Sequence, residues 1–106
     1  MKIDALRGQL ELAVLATLQG EPLHGYAIIR ALRERSGGEF DVFEGTLYPA
    51  LHRLEEAGLV KSRWATATGR RRRVYELTKR GGRALADQRS EWRDFVRAFD
   101  ALLGGP

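Results

Sequence analysis

The spacing of apolar residues changes period twice along this chain, and that change restricts the fold more than any other feature. Leu10, Ala13, Val14, Thr17 and Leu18 recur at helical intervals, so a helix is predicted over residues 8–19, closed by Gly20 and Pro22. Ala27, Ile28, Ile29 and Leu32 form a second apolar stripe over residues 24–36, stopped by Ser36-Gly37-Gly38, and Phe40, Val42 and Phe43 in the connector are expected to plug the core. A third helix is predicted over residues 45–57, with Leu47, Ala50, Leu51 and Leu54 inward and Tyr48, His52, Arg53 and Glu56 outward. Pro49 is tolerated best in a first turn, which argues either for a start near Thr46 or for a local defect. From Val60 the period falls to two: Val60, Ser62 and Trp64 alternate with Lys61, Arg63 and Ala65, and Val74 to Thr78 alternate again. Thr68-Gly69 marks the turn between these strands. The helical period then returns over residues 79–103, from Thr78 as N-cap to Gly104-Gly105-Pro106.

The order helix, helix, helix, hairpin, long helix makes the fold mainly α with a small β-hairpin. It is the arrangement of a winged helix-turn-helix, in which the third helix enters a DNA groove and the hairpin, or wing, touches the backbone. Residues 1–78 form the expected head and residues 79–106 a C-terminal helix. A chain of 106 residues has room for one small core. The absence of Cys removes disulfides and thiolate sites from consideration. The best early apolar run, Leu10 to Leu18, is interrupted by Glu11 and Thr17 and is too short to span a bilayer, so no membrane partner and a cytoplasmic location are expected.

Charge is unevenly placed. Residues 53–83 hold ten Lys/Arg against three acids, a local net of +7, while the other residues hold eight against eleven, a net of −3. Arg70-Arg71-Arg72-Arg73 is the densest part, directly after Gly69, and four adjacent like charges repel one another unless a polyanion relieves them. The competing reading is a solvated turn. On the third helix, Thr46 suits a phosphate oxygen, Tyr48 either stacks on a sugar, bonds a phosphate or packs inward, and Arg53 takes either guanine or phosphate. His52 is either a base reader or an ordinary surface histidine. Lys61 and Gly69 complete the candidate DNA-binding set.

No catalytic residues, metal ligands or cofactor site are expected. The two histidines, His24 and His52, fall on different helices, there is no Gly-rich phosphate loop, and Glu55 and Glu56 point to different helical faces. The last helix carries a heptad-like seam of Leu85, Trp92 and Phe99, with Phe95, Val96, Leu102 and Leu103 broadening it. About 25 residues make a helix on the order of 37 Å long, more than so small a head can cover. A two-fold dimer is the simplest solution, with this helix packing on its mate and on Leu10 and Val14 of the partner's first helix; folding back on its own head is the alternative. Such a dimer presents two reading helices to a palindromic operator in double-stranded DNA.

Several strings are specific: Leu23-His24-Gly25-Tyr26, the run from Glu44 through Thr46-Leu47-Tyr48-Pro49 to Glu55, Gly58-Leu59-Val60, and Gly69-Arg70-Arg71-Arg72 leading to Tyr75-Glu76-Leu77-Thr78. Over about residues 8–92 the chain resembles the PadR family of bacterial transcriptional regulators, in the short form with a single C-terminal helix. The resemblance implies a homodimeric winged-helix repressor relieved by a small molecule. It implies that Thr46, Tyr48 and Arg70 to Arg73 contact DNA and that the last helix makes the dimer. It also implies that Trp92 borders a cavity for a flat aromatic or cationic effector, a plain dimer-core tryptophan being the other possibility. A protein-interaction module and a drug-binding sensor on the same scaffold are the rival functions, and the basic segment favours DNA over the former.

Overall fold

The computed structural model describes residues 9–104, the side chain of Ala67 excepted; the expected helix start at Gly8 and the closing Gly105-Pro106 lie outside the described residues. In chain order the elements are α1 (Gln9–Thr17), β1 (Leu23–His24), α2 (Gly25–Arg35), α3 (Glu44–Glu56), β2 (Val60–Ala67), β3 (Arg70–Leu77) and α4 (Lys79–Leu102). The fold is mainly helical, with one antiparallel sheet in the order β1-β3-β2.

Helix α1 is central, packed by α2, α3 and α4 together. Its neighbouring residues Val14 and Leu15 are both fully buried, so it has no outward apolar stripe to offer. A short helix that is apolar around most of its circumference belongs inside a core. Its one buried polar side chain, Thr17, donates its hydroxyl to the Val14 carbonyl at 2.7 Å. Around α1 the core is built from Ile28 and Leu32 of α2, Leu47, Leu51 and Leu54 of α3, Val60 and Tyr75 of the sheet, and Leu85 of α4. Each fully buried Leu or Ile contributes roughly 1.5–3 kcal/mol.

Two connector residues do as the pattern predicts and one does not. Phe40 and Val42 pack against the core, but Phe43 is 74 % exposed. Phe43 is the N-cap of α3, with extended backbone, and its carbonyl accepts the Thr46 and Leu47 N–H groups at 3.0 Å each; its side chain points outward. Helix α3 therefore starts two residues before Thr46, and Pro49 lies inside it. The proline removes the N–H that would have reached the Gly45 carbonyl, in an exposed first turn where water can serve that oxygen.

Strands β2 and β3 pair without interruption from Val60↔Leu77 to Ala67↔Arg70. Thr68 and Gly69 both have positive φ, 51° and 77°, the backbone of a two-residue turn whose twist matches the hairpin. Strand β1 has no counterpart in the sequence pattern. It is two residues long and pairs Leu23 with Tyr75 and His24 with Val74, so the start of α2 is stitched to the base of the wing.

Helix α4 is joined to the head by a tight knot. The Thr78 hydroxyl donates to the Gly58 carbonyl at 2.6 Å and accepts the Gly81 N–H at 3.0 Å, and the Thr78 N–H donates to the Leu59 carbonyl at 3.1 Å. Gly81 lies so close to the Leu59 carbonyl that a Cβ there would overlap it. Beyond Phe95 the helix runs clear of the head, which helps stretch the molecule to 54 Å along its longest axis.

Candidate nucleic-acid interface

The base of the wing meets α3 at Glu55, whose carboxylate takes the Ser62 hydroxyl at 2.5 Å. Thr46, His52 and Arg53 are exposed on α3. Arg53 is engaged within the chain, its Nε donating to Glu11 Oε1 of α1 at 2.6 Å, and it must leave that carboxylate to read a base. Tyr48 does not point outward as its spacing predicts. Its ring packs on the core and on Gly25, where any Cβ would strike the phenol. The glycine that begins α2 is thus the seat of the tyrosine, and only the partly exposed edge of Tyr48 faces solvent.

The arginine run is divided by the strand pleat. Opposite partners share a face, so Arg71 and Arg73 stand with Trp64, Ser62 and Tyr75, on the side that meets α3 at its base. Arg70 and Arg72 stand on the other face, with Lys61, Arg63 and Ala65. Gly69 sits at the tip. Lys61 lies 3.8 Å from Glu76 across the strands, an exposed pair of small energetic weight. Arg73 Nε donates to Ser62 Oγ at 3.0 Å, and its guanidinium lies 4.0 Å from Glu55 Oε2. Arg72 Nη1 bonds Nε2 of His24. Arginine can only donate, so His24 accepts as the neutral ring carrying its proton on Nδ1. Burial, then the nearby Arg72 and Arg30 charges, hold the His24 pKa below its usual value. The run is therefore partly anchored within the chain, which offsets part of the repulsion among its four charges.

Sequence reasoning missed His24 and Trp64. The signal for Trp64 was present: a two-residue turn at Thr68-Gly69 fixes Ala67 opposite Arg70, and counting back sets Trp64 opposite Arg73. His24 gave no periodic signal, because it acts through a strand of two residues.

The expected dimer residues separate into two groups. Val14 and Leu85 are fully buried within the one chain and Leu10 packs against the same core, so Val14 and Leu85 have no area to offer a partner. Along α4, Trp92 is half-buried and Phe95 buried; their rings lie 5.4 Å apart, and Phe99 meets Phe95 edge-on at 5.4 Å. Val96, Phe99, Leu102 and Leu103 are uncovered, at 39, 46, 82 and 73 % exposure. Among the described residues no three His, Asp or Glu side chains gather as a metal-ligand set, and no helix is long and apolar enough to cross a membrane.

Three helices, a hairpin wing and a projecting C-terminal helix define a winged-helix protein. The sequence matches the family model described as the transcriptional regulator PadR-like family over residues 14–87. It is 37 % identical over 99 residues to the transcriptional regulator Rv3488 of Mycobacterium tuberculosis, covering 93 % of this chain and 87 % of that protein. Among solved structures it is similar to a PadR family transcription regulator of Clostridium difficile, with a TM-score of 0.82, 34 % identity, and coverage of 91 % of this chain and 99 % of that one. It is also similar to Bacillus subtilis PadR in complex with operator DNA, with a TM-score of 0.66 and 29 % identity over 74 % of this chain and 45 % of that one. The chain belongs to the PadR-like family of transcriptional regulators.

Proposed function

We propose that this regulator is a homodimeric repressor that binds a palindromic operator in double-stranded DNA and is released by a small molecule. The observation that carries the DNA reading is the wing: four consecutive arginines, distributed over both faces of a hairpin whose base is bonded to α3 through Glu55. A cationic wing next to an exposed helix suits a polyphosphate backbone, with Thr46 and the Tyr48 edge placed to position α3 and His52 to meet base edges. The operator complex of the Bacillus subtilis relative supports the same reading. Residues 1–78 form the DNA-binding head and residues 79–106 the dimerisation helix. The uncovered Val96, Phe99, Leu102 and Leu103 support pairing through α4, since an apolar stripe of that kind is stable in water only when covered. Trp92, half-buried beside Phe95, is the residue we assign to the border of an effector cavity for a flat aromatic or cationic compound. The protein works as a cytoplasmic binding protein with no catalytic step.

A mobility shift with the DNA immediately upstream of the chain's own gene, at two salt concentrations, tests the reading. Preference over random DNA is expected, and its absence removes the self-operator. Replacing Arg71 and Arg72 by Ala should flatten the salt dependence by ~0.9 log–log units for each phosphate that is no longer neutralised.

A further inference from the structure

Trp64 has no part in the function set out so far, yet it is the largest side chain on the wing. It is 54 % exposed, on a strand that otherwise presents short or charged side chains beyond the core. Burial does not account for it. Its surroundings do: the Arg71 guanidinium carbon lies 4.8 Å from the ring centroid and that of Arg73 lies 5.3 Å away. Both distances fall within the range of attraction between a cation and the ring quadrupole.

The two arginines are held differently. Arg73 is also tied through its edge, donating to Ser62 Oγ, while the Ser62 hydroxyl donates to Glu55 Oε2 at 2.5 Å. Glu55 belongs to α3. The Arg71 side chain has the Trp64 ring as its contact and no side-chain hydrogen bond or ion pair among the described residues. A stacked guanidinium uses its face and leaves its in-plane N–H groups available for a phosphate. A continuous series of contacts thus runs from Glu55 of α3 through Ser62, Arg73 and Trp64 to Arg71. At its end is a cation on the α3 side of the wing with its donors unspent.

We propose that Trp64 is a positioning residue for DNA binding: its indole, braced by Arg73, holds Arg71 at a fixed place relative to α3 so that Arg71 meets a backbone phosphate. This rests on the DNA reading above. It gives Arg73 a bracing role and Arg71 the phosphate. Pre-ordering a long, flexible side chain removes part of the entropy lost on binding, and removing the platform should weaken binding about fivefold.

The test is anisotropy of a labelled random-sequence duplex, titrated with the full chain at several salt concentrations, together with thermal melts. Trp64→Leu should bind about fivefold more weakly, with an unchanged salt slope and an unchanged melting temperature. Trp64→Phe should keep most of the affinity. Arg71→Ala should lower the salt slope by ~0.9, and in that background Trp64→Leu should do no further harm. The role is overturned if Trp64→Leu binds like the wild type, if Leu and Phe are equally weak, or if the variant melts lower. It is overturned too if the Trp64 and Arg71 effects simply add, since Trp64 would then touch DNA itself. A wild-type chain that binds no duplex overturns the DNA reading and this role with it, whereas tight wild-type binding matched by Trp64→Leu overturns this role alone.

Discussion

Leu102→Ala isolates the contribution of the α4 stripe to the proposed subunit association. Leu102 is 82 % exposed, so trimming it leaves the chain's own core intact, unlike Phe99, which meets Phe95 edge-on. The change removes three carbons, worth ~2.4 kcal/mol if fully buried at ~0.8 kcal/mol each. Scaled to the 82 % available for covering, the loss is ~2 kcal/mol per chain. A two-fold interface counts it twice, giving ~4 kcal/mol, or roughly a thousandfold in the dimer dissociation constant. This is the upper value, reached when the dimer covers the side chain completely. Sedimentation equilibrium over a wide concentration range measures that constant directly, and melts of dilute protein check that the head is unaffected. A dimer constant that moves by less than about threefold would place Leu102 outside the interface, and a monomeric wild type would remove the α4 pairing altogether.

Two further outcomes follow from the geometry of the head. Gly81→Ala drives a methyl into the Leu59 carbonyl and should destabilise the fold by ~1–3 kcal/mol, read as a lowered denaturation midpoint, with Gly82→Ala close by as a near-neutral control. His24 has a pKa below its ordinary 6.5 in the folded chain, so the unfolded chain takes up the proton first. Stability should therefore fall as pH drops through 6.5 towards the lowered folded value, and His24→Gln should flatten that part of the stability profile; an unchanged profile would dissociate His24 from the effect.

Much of the fold was legible because its signals are local. The Thr68-Gly69 turn, the Thr78 cap and the change of period each depend on a few neighbouring residues, and the structure has them where the pattern predicts. What escaped depends on packing between distant segments. Tyr48 has outward spacing but is drawn inward by the space above Gly25, more than twenty positions earlier. Val14 sits on a helical stripe that looks one-sided until three other helices close around it. Phe43 is apolar, yet it serves α3 through its backbone as N-cap while its ring is exposed to solvent. Among the candidate binding residues, the basic run was visible as composition and its partition between two faces follows by counting back from the Thr68-Gly69 turn, but its attachments to Ser62 and His24 depend on how side chains meet in three dimensions.

The knot at Thr78 and Gly81 has a mechanical consequence. Bonds from Thr78 to Gly58 and Leu59, and the close seat of Gly81, make the head and the near half of α4 a single lever rather than two parts on a hinge. In a pair of chains joined along α4, the reach between the two wings is then governed by the angle at which the helices cross. A small rotation at the crossing is magnified over the length of the lever. On the proposed scheme, a compound wedged beside Trp92 need not touch either wing to move both out of register with a rigid double helix.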